Sequence, residues 1–141
     1  MIEKYNILFD EFKNFINENS KFNPRVVKNN TNTSAYFPIV TCKLSNCTNT
    51  NLDTIDRIEN YEQYYLTIDI YAKDVVINKT KTSSQVVVDE LTNLTIKFFD
   101  KKNMYRTACL PTFNIDTSIN RQTIQYQALI GSARFNIIRR W

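Results

Sequence analysis

The chain has 141 residues, a formal net charge of +4 and a hydrophobic fraction of 43%. That length suits one domain with a real core, and the apolar content argues against wholesale disorder. No run of 18 apolar residues occurs, so no membrane span is expected, and so mild a charge does not by itself imply nucleic acid.

The opening Met-Ile-Glu-Lys-Tyr lacks the basic-then-apolar order of a secretion signal. Ile2, Tyr5, Leu8, Phe9, Phe12, Phe15 and Ile16 then recur at helical spacing. They predict an amphipathic helix over 2–18 with an aromatic stripe that lies on a sheet. It should fade at Asn17–Ser20, where short polar side chains compete for the backbone. Arg25–Lys28 reads as a short strand and Asn29–Ser34 as a polar break. Tyr36–Leu44 reads as a second strand, with Pro38 near its start or at an edge because proline has no N–H. The two strands are expected to pair as a hairpin. Ser45–Asn60 has no steady period and reads as a loop.

Tyr64–Ala72 carries the clearest pattern in the chain. Tyr64, Leu66, Ile68 and Ile70 alternate with Tyr65, Thr67, Asp69 and Tyr71, which predicts a central strand with one apolar and one mixed face, beginning near Glu62. Lys73–Thr82 is polar around a Val75-Val76-Ile77 island. Ser83 or Ser84 can cap a second helix running to about Phe99, with Val87, Leu91, Leu94, Thr95 and Phe98 inward. Asp100–Asn103 is a break, Tyr105–Phe113 a strand and Asn114–Arg121 a polar turn. Gln122–Ile130 alternates as a strand, Gly131-Ser132 turns, and Ala133–Ile138 is a last strand. The expected fold is therefore α+β: a mostly antiparallel β-sheet with two amphipathic helices packed on one face, in a single domain over 1–141.

The absent chemistry narrows function. Without histidine there is no imidazole base, no Ser-His-Asp triad and no histidine metal ligand. The single glycine, Gly131, excludes Gly-rich phosphate loops. Cys42, Cys47 and Cys109 are odd in number and read as reduced thiols acting as small hydrophobes. Asp53, Asp56 and Glu59 would share one face if their segment were helical. Acids at that spacing are more often solvated surface than a two-metal site. No enzyme activity, metal or cofactor is expected. Tyr65, Tyr71 and Thr67, on the outward strand face, suit either water or a subunit contact. Trp141, behind Arg139 and Arg140, is either tucked under the fold or presented to a neighbour.

The order of elements resembles the tail-terminator (tail-completion) proteins of long-tailed bacteriophages, a family related to minor tail and head–tail joining proteins. The matching pieces are the N-terminal helix, the Phe37-Pro38-Ile39-Val40 strand, and Leu66-Thr67-Ile68-Asp69-Ile70-Tyr71-Ala72. The helix over 84–99 follows, and then Asn114, Asp116, Arg121 and Tyr126 in the style Asn-x-Asp…Arg…x-Tyr. The glycines usual in that family's loops are missing. The resemblance implies a homo-oligomeric ring, commonly a hexamer, that caps the tail tube protein and meets the head–tail connector protein. Genomic DNA would pass through the lumen, with no cofactor and no membrane. It places the protein in the virion tail or neck, and in host cytoplasm during assembly. Tyr65, Tyr71, Arg121, Tyr126 and Trp141 are the expected interface, and segments 45–60 and 73–82 are expected to order on assembly. A head-completion or head–tail joining protein is the near alternative. A small nucleic-acid-binding module is an alternative of another class. It would contact phosphate through Arg25, Arg121, Arg134, Arg139 and Arg140, and it needs those arginines on one face beside aromatics. A nuclease using Asp53, Asp56 and Glu59 is a third.

Overall fold

The computed structural model describes residues 2–28, 37–54, 57–77, 79–102, 104–110, 112–116 and 119–131. Helix α1 spans Ile2–Asn19 and helix α2 spans Ser84–Phe99. Strands β1 (Arg25–Val27), β2 (Ile39–Thr54), β3 (Arg57–Ala72), β6 (Tyr105–Cys109), β7 (Phe113–Asp116) and β8 (Ile119–Gly131) form one sheet. Its order is β1-β2-β3-β8-β6, with β7 also paired to β8, and every pairing except β1–β2 is antiparallel. Strands β4 (Val75–Ile77) and β5 (Thr80–Thr82) make a separate hairpin, turned at Lys79 with φ 65°. The chain is α+β, as the segregation of helical and strand patterns predicts.

One face of the sheet takes both helices. Val40 and Cys42 of β2, Leu66, Ile68, Ile70 and Ala72 of β3, and Ile124 and Tyr126 of β8 are buried against Tyr5, Leu8, Phe9, Phe12 and Ile16 of α1 and Val87, Val88, Leu91, Phe98 and Phe99 of α2. Phe12 bridges the helices, its ring centroid 5.3 Å from Phe98 and 5.1 Å from Phe99. Phe99 stacks in turn on Tyr126, at 4.7 Å. Each large apolar side chain so buried stabilises the fold by roughly 1.5–3 kcal/mol.

Polar contacts set the helix ends. The Ser83 hydroxyl accepts from the Val86 N–H at 3.4 Å, and the Ser84 N–H donates to Asp74 Oδ1 at 2.7 Å, so two of the orphan first-turn donors are met. The Ser84 N–H, more than the nearby Lys81, holds the Asp74 carboxyl below the usual carboxylate range. Asn120 Nδ2 donates to Ser84 Oγ at 2.7 Å, fixing the start of α2 to the start of β8. Further along α2, Glu90 Oε1 accepts from Ser20 Oγ at 3.1 Å and from the Lys21 N–H at 3.3 Å, joining the exit of α1 to α2.

Four expectations need correction. Arg25–Val27 does not form a hairpin with the strand after it; the two run parallel, Val26 beside Val40. A parallel pair needs a crossover, and the chain between Val27 and Ile39 is long enough to return. Residues 45–60 are not a loop: the described part is the outer half of the β2–β3 hairpin, paired out to Thr54 and Arg57. A register shift between Ser45 and Thr48 throws the side-chain alternation out of phase, and threonine favours extended backbone. Segment 73–82 is likewise ordered within the single chain, as β4 and β5. Residues 105–121 are three strands, not a strand and a turn. The Leu110 N–H donates to the Thr123 carbonyl at 3.0 Å and the buried Gln122 amide donates to the Leu110 carbonyl, which pins the break between β6 and β7. The strand expected at Ala133–Ile138 lies outside the described residues.

Two outcomes follow for stability. Ile68→Asp, which would bury an unpaired carboxylate under the helices, should give no cooperative unfolding transition; a soluble, folded variant in circular dichroism would mean the buried face is misassigned. Ser83→Ala should cost about 1 kcal/mol in urea unfolding, the usual loss for an N-cap hydroxyl.

Candidate functional site

The face of the sheet turned away from the helices is built in rows. Cross-strand partners place Arg25, Ile39, Tyr71 and Arg121 side by side, from β1 through β2 and β3 to β8. The next row is Val27, Thr41, Asp69 and Thr123. Lys43, Thr67 and Gln125 follow, and then Ser45, Tyr65, Gln127 and Tyr105 of β6. Because β3 alternates, Leu66, Ile68 and Ile70 point into the core while Tyr65, Thr67, Asp69 and Tyr71 all point outward.

Exposure follows this geometry. Arg25, Lys43 and Tyr105 are exposed, and Tyr65, Thr67, Asp69, Tyr71, Arg121, Thr123, Gln125 and Gln127 are half-buried. Ile39 and Thr41 are buried between their longer neighbours. The Thr123 hydroxyl donates to Asp69 Oδ1 across the β3–β8 pair. At the end of β3, Lys73 Nζ lies 4.6 Å from the centre of the Phe37 ring, a cation–π contact that leaves the ammonium positioned beside the strand.

Of the five interface residues expected, Tyr65, Tyr71 and Arg121 share this face, with Tyr71 directly opposite Arg121. Tyr126 does not belong there. Its place in the β8 alternation, beside Ile124, turns it into the core, where it is 1% exposed. Burial pushes its phenol up to about 12; Asp100 adds to the shift and Arg106 opposes it. Among the described residues no hydrogen bond of ordinary geometry reaches its hydroxyl. Trp141, with Arg134, Arg139 and Arg140, lies outside the described residues.

The acidic trio is not helical. Asp53 pairs with Ile58 and Glu59 with Leu52 in the β2–β3 ribbon, and Asp56 lies outside the described residues. Among the described residues no group of three or more cysteine or carboxylate side chains is placed to hold a metal. Cys42 is buried, its thiol pushed up to about 12 by that burial. Cys109 is exposed on β6, and its sulfur accepts from Gln122 Nε2 at 3.6 Å.

The sheet also has two unlike edges, which the strand pattern alone did not reveal. On one side β1 covers only Ile39, Val40 and Thr41. Among the described residues, no strand lies against β2 from Cys42 to Thr54 on that side. That stretch contains no proline and only two charged residues, Lys43 and Asp53. On the other side the sheet ends in β6 and β7, both short and both paired to β8. Among the described residues no helix is long and apolar enough to cross a membrane. No protein-family model matches the chain, and no curated protein matches it.

Two checks bear on the buried groups. Tyr126→Phe should leave stability within about 1 kcal/mol of the parent, since it removes a hydroxyl that has no good partner to lose; a larger loss in urea unfolding would reveal a bond to Arg106. The raised phenol of Tyr126 and thiol of Cys42 favour their neutral forms in the folded state, so their contribution is complete below the ordinary values of 9.0 for the thiol and 10.0 for the phenol. It is lost as pH climbs toward about 12. Unfolding free energy should therefore fall across that alkaline window, and Tyr126→Phe should flatten part of the fall.

Proposed function

We propose that this protein is a structural virion component: a ring-forming tail terminator that caps a phage tail tube and joins it to the head connector. The observation that carries the reading is the pair of unlike edges that the described residues leave open on opposite sides of one sheet. A closed ring needs a head-to-tail contact, one patch meeting a different patch on the next copy. An edge strand offers a row of backbone donors and acceptors, and left open it invites pairing with another chain. The long edge of β2 on one copy, set against the β6–β7 edge of the next, gives a repeating contact of this kind. The order of one helix, five strands, a second helix and three strands supports this reading.

The test is assembly. Light scattering on the purified chain should give a mass several times that of the monomer, and electron microscopy should show rings at the head-proximal end of tail tubes. Thr48→Lys with Thr50→Lys, placed on the open part of β2, should return the chain to a monomer with an unchanged circular dichroism spectrum, since edge lysines oppose strand addition. A stable monomer that binds no tube end removes the reading. Rings found on the head portal, with none on free tails, would move it to the head-completion class.

A further inference from the structure

We propose that the open face of the sheet binds single-stranded nucleic acid, with the bases on its tyrosines and the phosphates on its cations. This goes beyond the ring reading and does not need it, because every group involved lies on one chain.

Charge is divided unevenly over the molecule. Among carboxylates whose side chains are described, Asp10, Glu11 and Glu18 lie on α1, Asp89 and Glu90 on α2, and Asp74 and Asp100 flank α2. The open face carries Asp69 alone, and that carboxylate already accepts from the Thr123 hydroxyl. Against it stand the exposed Arg25 and Lys43, with Arg121 in the same row as Arg25 and Lys73 at the end of β3. The helical side is mixed in sign; this face is cationic. Charge complementarity therefore favours a polyanion.

The aromatics decide which polyanion. Tyr65 and Tyr71 are six residues apart on β3, about 20 Å at the usual rise per residue. Tyr105 shares the row of Tyr65 two strands away, with Gln127 between them, about 10 Å at the usual strand spacing. Rings on a sheet with cations on the neighbouring strands suit unpaired bases, whose flat faces stack on aromatic side chains while a basic surface follows the backbone. Gln125 and Gln127 add amides that can both donate to and accept from base edges. A duplex hides its base faces within its own stack, so these tyrosines would gain nothing from it. An acidic peptide would satisfy the cations and leave the rings unused.

Fluorescence anisotropy with a labelled oligothymidylate tests this, at a length of about 12 nucleotides to fit one platform. The chain should bind at about 50 mM salt, and log affinity should fall against log salt with a slope of about −2, as expected for roughly three phosphates on a single strand. Arg25→Glu with Lys43→Glu should weaken binding at least tenfold. Tyr65→Ala and Tyr105→Ala, made separately so that one folding failure does not end the test, should each weaken it several-fold in protein that keeps its circular dichroism. A duplex of the same length and polyglutamate should both bind less well. No binding at low salt overturns the proposal. So does binding unmoved by the charge reversals, or duplex or polyglutamate bound as tightly as the single strand. Light scattering on the same samples keeps this separate from the ring: a monomer that binds supports the face and removes the ring, and a ring that does not bind does the reverse.

Discussion

The structure depends on one run of aromatic contacts, from Phe12 through Phe98 and Phe99 to Tyr126. It crosses three elements that are distant in sequence: α1, α2 and β8. Without it the two helices would be separate amphipathic segments, deprived of the tertiary packing that supplies most helical stability in proteins. With it, each helix is fixed both to the other and to the sheet. Phe12 and Phe99 are fully buried, and Tyr126 nearly so. This also explains why Tyr126 keeps its ring inside at the cost of a poorly satisfied hydroxyl: the stacking area is large, and the polar end has Arg106 and Asp100 within electrostatic reach.

Because the helices saturate one side of the sheet, the other side is free of any duty to the core. Apolar residues on that side are few: Ile39 is buried among longer neighbours, and Val27 is half-buried. The remainder is tyrosine, threonine, serine, glutamine, lysine or arginine, and Asp69. An antiparallel sheet covered on one face commonly shows this asymmetry when the second face meets water. What water alone does not require is Tyr71 in register with Arg25 and Arg121, two further tyrosines on the same face, and Asp69 as its one carboxylate among the described side chains.

How far this was legible in the sequence differs from segment to segment. Wherever a residue pattern met the core, it could be read: the stripe of α1, the alternation of Leu66–Ala72 and the period of Gln122–Tyr126 correspond to what is buried, and the serine expected as a cap does start α2. The open face was legible through the same alternation, which put Tyr65, Thr67 and Tyr71 outward. The resemblance points Tyr126 outward, whereas its parity with Ile124 in β8 already points it into the core. The parallel pairing of β1 was not legible, since three residues carry no information on direction. The β2–β3 ribbon beyond Ser45 was not legible either. Alternation exists only where one face is buried, and a register shift breaks even that.

That ribbon bears on how the molecule meets others. Among the described residues the ribbon is two-stranded from Thr54 and Arg57 back to Asn51 and Asn60, since β8 pairs with β3 only from Tyr61 onward. Two strands without a third or a covering layer are marginal in water. The hairpin continues from the central strands of a well-packed sheet, so its base is held while its end has no support among the described residues. A ribbon anchored in this way has a set direction and, among the described residues, an unpaired edge. Those are the two properties a contact with another chain requires, and a solvated loop of the same composition would have neither.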